Sequence, residues 1–282
     1  MRNTQRTEKI AFFLMAAATL IIVTPVVIIL FIVLFYGLPG LTWEFISANP
    51  REGMRAGGIY PAIIGTLLLT LGTALFSIPL GILAAIYLNE YARKNWLTRL
   101  VELAIINLAG VPSIVYGLFG LGLFVTFLGF GASLLAGSAT LAIMTLPVII
   151  TATREALSAV PQAFREVSFS LGASRWQTVR GVVLPNAIPG ILTGTILGLS
   201  RAAGETAPIL FTVAAFYLPR LPQSIYDQAM VLPYHIYVLS TQVPNVSPRI
   251  QYGTVLVLVG LVFILNITAA VIRARFRRRK TW

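Results

Sequence analysis

Six long apolar segments constrain this chain more than any other feature of its sequence. A helix needs about 20 apolar residues to cross the roughly 30 Å hydrocarbon layer of a membrane. The segments that are long enough are Ile10–Tyr36, Tyr60–Leu88, Leu100–Phe130, Ala132–Thr153, Ala187–Leu218 and Gly253–Ile272. A transmembrane β-barrel would instead show alternating segments of about ten residues. The sequence therefore predicts an all-α polytopic membrane protein with six transmembrane helices.

The basic residues are distributed unevenly between the predicted loops, which predicts the orientation of the chain. Three Lys or Arg precede the first span, three lie between spans two and three, four between spans four and five, and six follow the last span. The opposite loops hold Arg51, Arg55, Arg220 and Arg249. By the positive-inside rule both termini are cytoplasmic. The net charge of +12 therefore reflects membrane topology and does not indicate a nucleic-acid partner.

The ends of the chain are interpreted in the same way. Residues 1–9 are predicted to be a cytoplasmic N-terminus, and residues 10–36 a retained first span that is too long for the core of a signal peptide. Residues 273–282 form a basic tail, which we expect to contact anionic membrane lipid.

Cysteine and histidine usage argues against a metal site and against an intramembrane enzyme. The chain has no cysteine and a single histidine, His235, so a thiolate site and a histidine cluster are both excluded. His235 lies near Tyr234 and Tyr237 in a segment, residues 219–252, that carries five prolines. We expect this segment to form short interfacial elements on the outer face, with His235 as an interfacial residue.

The loop from Arg154 to Asn186 has an ordered pattern. Pro161 suits a first helical position, and Gly172 a C-terminal stop, so a helix of about eleven residues is predicted between them. Its apolar residues Val160, Phe164, Val167 and Leu171 share one face. Ser174 and Gln177 have the spacing of a capping box, which predicts that a second helix begins at Arg175.

Phe169 lies on the opposite face of the first loop helix, among polar residues. An aromatic side chain exposed there is a candidate anchor for a partner's pocket, although it could equally pack on its own chain. A DNA-reading helix-turn-helix is disfavoured, because the membrane tethers both ends of the loop.

The fifth span carries charges at its predicted centre. Gly190, Gly194 and Gly198 recur at four-residue intervals and permit close approach of another helix. Arg201 and Glu205 fall in the same sector and are predicted to face protein or a water-filled path. Pro208 cannot donate a backbone hydrogen bond, so a kink or break is predicted beside Gly204.

Two interpretations of this charged pair stay open. The pair could be a structural ion bridge that holds span five against its neighbours. Alternatively, Arg201 lines a path and offers a permanently charged fork to an oxyanion, while Glu205 moderates its attraction so that the anion is released.

Several stretches resemble one known family. "REVSFSLGASRWQTVRGVVLPNAIPG" is similar to the cytoplasmic loop of permeases of ATP-binding-cassette importers, with Glu166, Gly172 and Leu184-Pro185 at the family's spacing. The family's two alanines are Val167 and Ser168 here. "GGIYPAIIGTLLLTLGT", "IYLNEYARKNWLTR", "VPSIVYGLFG" and "GETAPILFT" resemble the permeases of phosphate-specific importers.

The resemblance implies a type I importer permease fold over residues 57–272, with a coupling loop at 154–186. The residues that couple this loop to an ATPase would be Glu166, Phe169, Leu171, Gly172, Leu184 and Pro185. Arg201 and Glu205 would belong to the phosphate pathway. The implied partners are a homologous permease, two ATPase subunits and an external phosphate-binding protein, in the bacterial inner membrane.

The chain is not expected to be its own motor. ATP hydrolysis of the P-loop type needs Gly-x4-Gly-Lys-Ser/Thr, and none of the three lysines, Lys9, Lys94 and Lys280, lies in that context. No cofactor is expected on this chain, and ATP and Mg²⁺ would be bound by the partner ATPase.

Other classes of function fit less well. A secondary transporter would need paired interrupted helices in related halves, and only one charged, interrupted span is found. The closer alternatives are the partner permease of the same system and a permease for another oxyanion.

Overall fold

The computed structural model describes the backbone of residues 2–278, and the side chains of residue 8 and residues 10–275. Residues 279–282 of the predicted basic tail lie outside the described residues, as do the side chains of Arg2, Arg6 and Lys9.

Twelve α-helices are found within residues 2–278. Five helical spans are long and apolar enough to cross a membrane, and a sixth is present if one bent pair of helices is counted as a span, which confirms the predicted fold class. The helices are α1 Arg2–Gly37, α2 Trp43–Ser47, α3 Tyr60–Ile86, α4 Trp96–Ala109, α5 Ser113–Gly120, α6 Leu134–Ser158, α7 Gln162–Ser170, α8 Arg175–Thr178, α9 Leu184–Gly204, α10 Ala207–Leu210, α11 Leu232–Thr241 and α12 Pro248–Arg278. A two-residue antiparallel pair, β1 Pro50–Arg51 with β2 Ala56–Gly57, precedes α3.

Three π-helical turns adjoin α-helices among the described residues. These turns are Tyr87–Tyr91 after α3, Leu121–Phe127 after α5 and Val179–Val183 between α8 and α9. Because the last turn is continuous with its neighbours, α8 and α9 form one helical rod from Arg175 to Gly204.

The third predicted span is not continuous. Instead of one helix over Leu100–Phe130, α4 and α5 meet at an angle of 106°. Pro112, at the bend, is extended with ψ near 141°. Proline lacks the N–H that a continuing helix would need, so α4 ends before it.

The fifth span also differs from its prediction. Residues 187–218 were expected to be helical, but α9 ends at Gly204 and, after the four residues of α10, the chain is irregular. Apolar composition alone cannot distinguish this buried irregular stretch from a helix. Part of its backbone is bonded within the protein, since Ala215 donates to the carbonyl of Ala229 and Ala229 donates to that of Val213.

Helices α3, α6 and α9 pack side by side and form the middle of the bundle, whereas α1 contacts chiefly α12. Two hydrophobic clusters are found among the described residues. The larger includes Leu69, Leu141, Ile209 and Val213. The smaller includes Leu157, Val160 and Val183, which belong to the 154–186 loop.

The segment of residues 219–252 is not simply interfacial. Ala229, Met230, Val231 and Leu232 are almost fully buried in the larger cluster. The N–H of Leu232 donates to Thr66 Oγ1 of α3 at 2.8 Å, so this segment completes the core.

His235 was expected to be an interfacial residue in a loop. It is instead a buried residue of α11, with 3% of its surface exposed, and its Nδ1 has no hydrogen-bond partner. Burial lowers its pKa to about 4, so the imidazole is neutral at physiological pH.

Candidate functional site

The helix break in the fifth span is built by three neighbouring residues. Glu205 ends α9 with an extended backbone, Thr206 follows, and α10 begins with Pro208 in its first turn. Proline is tolerated there because first-turn N–H groups lack partners within the helix. The helix is therefore interrupted beside Arg201 and Glu205.

Arg201 and Glu205 form an ion pair across the end of α9. Arg201 Nε donates to Glu205 Oε1 at 3.1 Å. The Arg201 side chain is 48% exposed, and that of Glu205 is 17% exposed. Among the side chains that the structure describes, Glu205 is the acceptor of Arg201 and it bonds to Nε, so the terminal nitrogens of the guanidinium are available to an anion.

Helix α5 packs tightly against this break. An added Cβ at Gly117 would lie 2.9 Å from the carbonyl oxygen of Ala207 and 3.0 Å from Pro208 Cα. The bend between α4 and α5 thus brings the "VPSIVYG" stretch beside the charged pair.

The glycine series of α9 lies against α6. A Cβ at Gly190 or Gly194 would collide with Ala156 or Ala152, and one at Gly198 would meet Ile149 at 3.3 Å. The glycines face a neighbouring helix, while the side chain of Arg201, one turn further, is half exposed.

The 154–186 loop folds as two helices joined by a sharp turn. Helix α7 begins directly after Pro161, and Gly172 has a φ of +79°, which glycine adopts without strain. Both hydrogen bonds of the predicted capping box are present between Ser174 and Gln177, and α8 begins at Arg175.

The burial of α7 differs from the expected pattern. Arg165, placed on the polar face, is buried, whereas the apolar Val167 and Leu171 are 60% and 83% exposed. The reason is a charge partner on another helix: Arg165 pairs with Glu90, at the end of α3, at 2.7 Å. Sequence reasoning missed Glu90, because no local pattern marks a partner 75 residues away.

The remaining loop residues differ in exposure. Phe169 is 44% exposed and borders a groove of about 490 Å³ between α7 and the end of α3. Glu166 and Pro185 are exposed, while Leu184 is half-buried against the smaller cluster. The loop therefore exposes apolar side chains such as Leu171 and Phe169, while the ion pair of Arg165 and Glu90 beneath them is buried.

The described residues contain no group of three or more His, Cys, Asp or Glu side chains arranged to hold a metal ion. The arrangement offers a half-exposed guanidinium at a helix break. It also offers exposed apolar side chains on the 154–186 loop, at the opposite end of the helical rod from Arg175 to Gly204.

Comparison with known proteins identifies the class of this arrangement. Residues 77–282 match the binding-protein-dependent transport system inner membrane component family. The chain belongs to this family. The match begins within α3, so α1, which packs at the edge of the bundle, precedes the matched region.

Individual relatives narrow the comparison. The chain is 37% identical to "Phosphate transport system permease protein PstA 1" of Mycobacterium tuberculosis over 226 residues, covering 80% of this chain and 73% of that protein. It is 35% identical to "Probable ABC transporter permease protein YqgI" of Bacillus subtilis, covering 84% and 85%.

The fold of the permease is also found in solved structures. A bacterial ABC transporter involved in the import of the acidic polysaccharide alginate superposes with a TM-score of 0.70, covering 97% of this chain and 98% of that chain at 15% identity. The fold is therefore that of a type I importer permease.

Proposed function

We propose that this protein is the membrane-spanning permease subunit of an ATP-driven importer of inorganic phosphate. The observation that carries the proposal is its 37% identity to a phosphate permease over four fifths of its length. The helix break with Arg201 supplies a chemical feature that suits an anionic substrate.

Arg201 is proposed to line the translocation path. Its guanidinium is permanently charged, and its terminal nitrogens can bond two phosphate oxygens at once. Glu205 occupies only Nε and lowers the local positive charge. An anion is thereby attracted without being held too tightly to leave. Gly204 and Pro208 give the break that places these groups at the end of a helix.

Motion would be supplied from outside this chain. Two ATPase subunits would bind ATP and Mg²⁺, and one of them would dock on the 154–186 loop through Phe169 and Leu171. Their closure would alternate the access of a path shared with a homologous permease. An external binding protein would deliver phosphate at the opposite end, near Arg249 in the first turn of α12.

The orientation follows from charge. The 154–186 loop carries Arg165 and Arg175, whereas Arg55 bonds to the carbonyl of Pro244 at the other end of the bundle. By the positive-inside rule, this charge distribution supports the proposal that the loop and both termini lie in the cytoplasm.

The proposal is tested by uptake of ³²P-phosphate into proteoliposomes containing the assembled importer. Arg201→Ala should abolish uptake while the complex still co-purifies, and Arg201→Lys should retain part of it. Arg220→Ala, which changes an exposed arginine of the outer loop, is the control and should transport normally. A wild-type complex that imports a different oxyanion, and not phosphate, would refute the substrate assignment. Disassembly on Arg201→Ala would favour a structural role for the pair.

A further inference from the structure

The base of α7 is held by one buried arginine. Arg165 Nη2 donates to Glu90 Oε1 at 2.7 Å, and Nε donates to Glu90 Oε2 at 3.3 Å. The same guanidinium donates to the carbonyls of Val160 at 2.8 Å and Leu157 at 2.9 Å. A single side chain thus joins α7 to the end of α3 and to the C-terminus of α6.

Burial makes these contacts hard to exchange for other ones. The side chains of Arg165 and Glu90 are only 10% and 9% exposed. Separating them would leave two buried charges without a partner, which is far more costly than separating an exposed pair. The carbonyls of Leu157 and Val160, at the end of α6, would also lose their donor.

Further polar contacts close the network. Asn89 donates to Glu90 at 2.8 Å and accepts from Ser158, the last residue of α6, at 2.7 Å. On the other side of α7, the hydroxyls of Ser168 and Thr178 are 2.8 Å apart and link α7 to α8. Helix α7 is therefore fixed at its base, while Leu171 remains exposed.

The contacts of Arg165 connect α7 directly to the membrane helices. A force applied to the exposed side of α7 passes through Arg165 to α3 and α6, which pack against each other and against α9. Helix α9 ends at the break that carries Arg201 and Glu205.

We propose that the Glu90–Arg165 pair is a positioning device that makes α7, α3 and α6 move as one body, so that ATPase closure reaches the translocation path. This inference rests on the proposed function for the source of the motion. The pair itself is not expected to touch substrate or ATP.

The test uses the complete importer in proteoliposomes and two readouts. The first is the number of ATP molecules hydrolysed per substrate molecule imported. The second is the distance distribution between spin labels at Ser170→Cys on α7 and Leu83→Cys on α3, recorded with and without nucleotide. Labelling this chain is specific because it contains no native cysteine; the partner subunits would be made cysteine-free.

The variants are Glu90→Gln and Arg165→Lys, with Glu102→Gln as the control. Glu102 pairs with Arg154 of α6 at 2.6 Å and is one-third exposed, so its substitution breaks an ion pair that does not hold α7. In the wild type and the control, the distribution of α7–α3 label distances should be narrow and should not change when nucleotide is added. In Glu90→Gln it should broaden, and the ATP-to-substrate ratio should rise at least fivefold. Arg165→Lys should give an intermediate change, because lysine keeps the charge but cannot bond Glu90 and both carbonyls together.

Other outcomes overturn the proposal. An unchanged ratio and a narrow distance in both variants would show that the pair is dispensable. An equal fall in ATP hydrolysis and import, with the distance still narrow, would show a purely structural role. The label distances do not depend on which substrate is imported, so failure of the phosphate assignment would be seen separately, in the uptake assay.

Discussion

Gly117 provides a sharp test of how α5 supports the helix break. An added Cβ would lie 2.9 Å from the Ala207 carbonyl oxygen and 3.0 Å from both Pro208 Cα and Phe211 Cδ2. Favourable carbon contacts are about 3.5–4.0 Å. Two of these three neighbours are backbone atoms, which cannot rotate away, so α5 and the break must move apart by about half an ångström. Overpacking of this kind costs about 1–3 kcal/mol.

Gly122 is the matched control for Gly117→Ala. It lies five residues further along the same helical segment, and an added Cβ there meets nothing within 4 Å. Both substitutions gain a similar helix propensity of about 1 kcal/mol. The difference between them therefore isolates the contact with the break. We expect Gly117→Ala to be less stable than Gly122→Ala by about 1–3 kcal/mol, or roughly 5- to 150-fold in the unfolding equilibrium.

The measurement is SDS-induced unfolding of the purified chain in detergent, followed by tryptophan fluorescence. Phosphate uptake by the reconstituted complex provides a second readout, because displacement of the break would move Arg201 and Glu205. Gly117→Ala should lower uptake, and Gly122→Ala should leave it unchanged. If the two variants unfold at the same SDS fraction, the packing argument is wrong.

Two further predictions concern the loop and the buried histidine. Leu171→Asp should weaken binding of the purified ATPase by about 10- to 150-fold, since a docked leucine contributes about 1.5–3 kcal/mol. Trp43→Asp changes an equally exposed site at the other end of the bundle and should not weaken binding. Equal binding by both variants would contradict docking at the loop. The pKa of His235 is lowered to about 4 in the fold, so the unfolded chain takes up a proton first as the pH falls below 6.5. The free energy of unfolding should therefore drop by up to roughly 3 kcal/mol between pH 6.5 and 4. Thermal unfolding of His235→Gln should lack this dependence; a wild-type profile that is flat over this range would show that the imidazole is accessible.

Local signals in the sequence were sufficient to predict where the helices of the 154–186 loop begin and end. The ends of α7 and α8 depend on Pro161, Gly172 and the Ser174–Gln177 box, and each acts on backbone groups within four residues. The break beside Gly204 is local for the same reason, because Pro208 cannot donate a helical hydrogen bond. Such elements can be predicted without knowledge of their surroundings.

Other features depended on surroundings that a local pattern does not contain. The residues at the 106° bend near Pro112 are as apolar as the helices beside them. The same holds for the irregular stretch after α10. His235 was placed at an interface from its tyrosine neighbours, but it is buried in α11, whose residues Tyr234, Val238 and Leu239 belong to the larger cluster.

The sequence by itself determined the membrane class, the number of apolar segments, the caps of the loop helices and the presence of two charges at a helix break. These follow from hydrophobicity, backbone stereochemistry and charge, which act over a few residues. Only the tertiary structure decided that Arg165 is buried against Glu90, that the glycines of α9 face α6, and that Arg201 remains half exposed. Each of these depends on atoms brought together from distant parts of the chain, and the free energy of burying a charge or closing a helix contact is set by those neighbours.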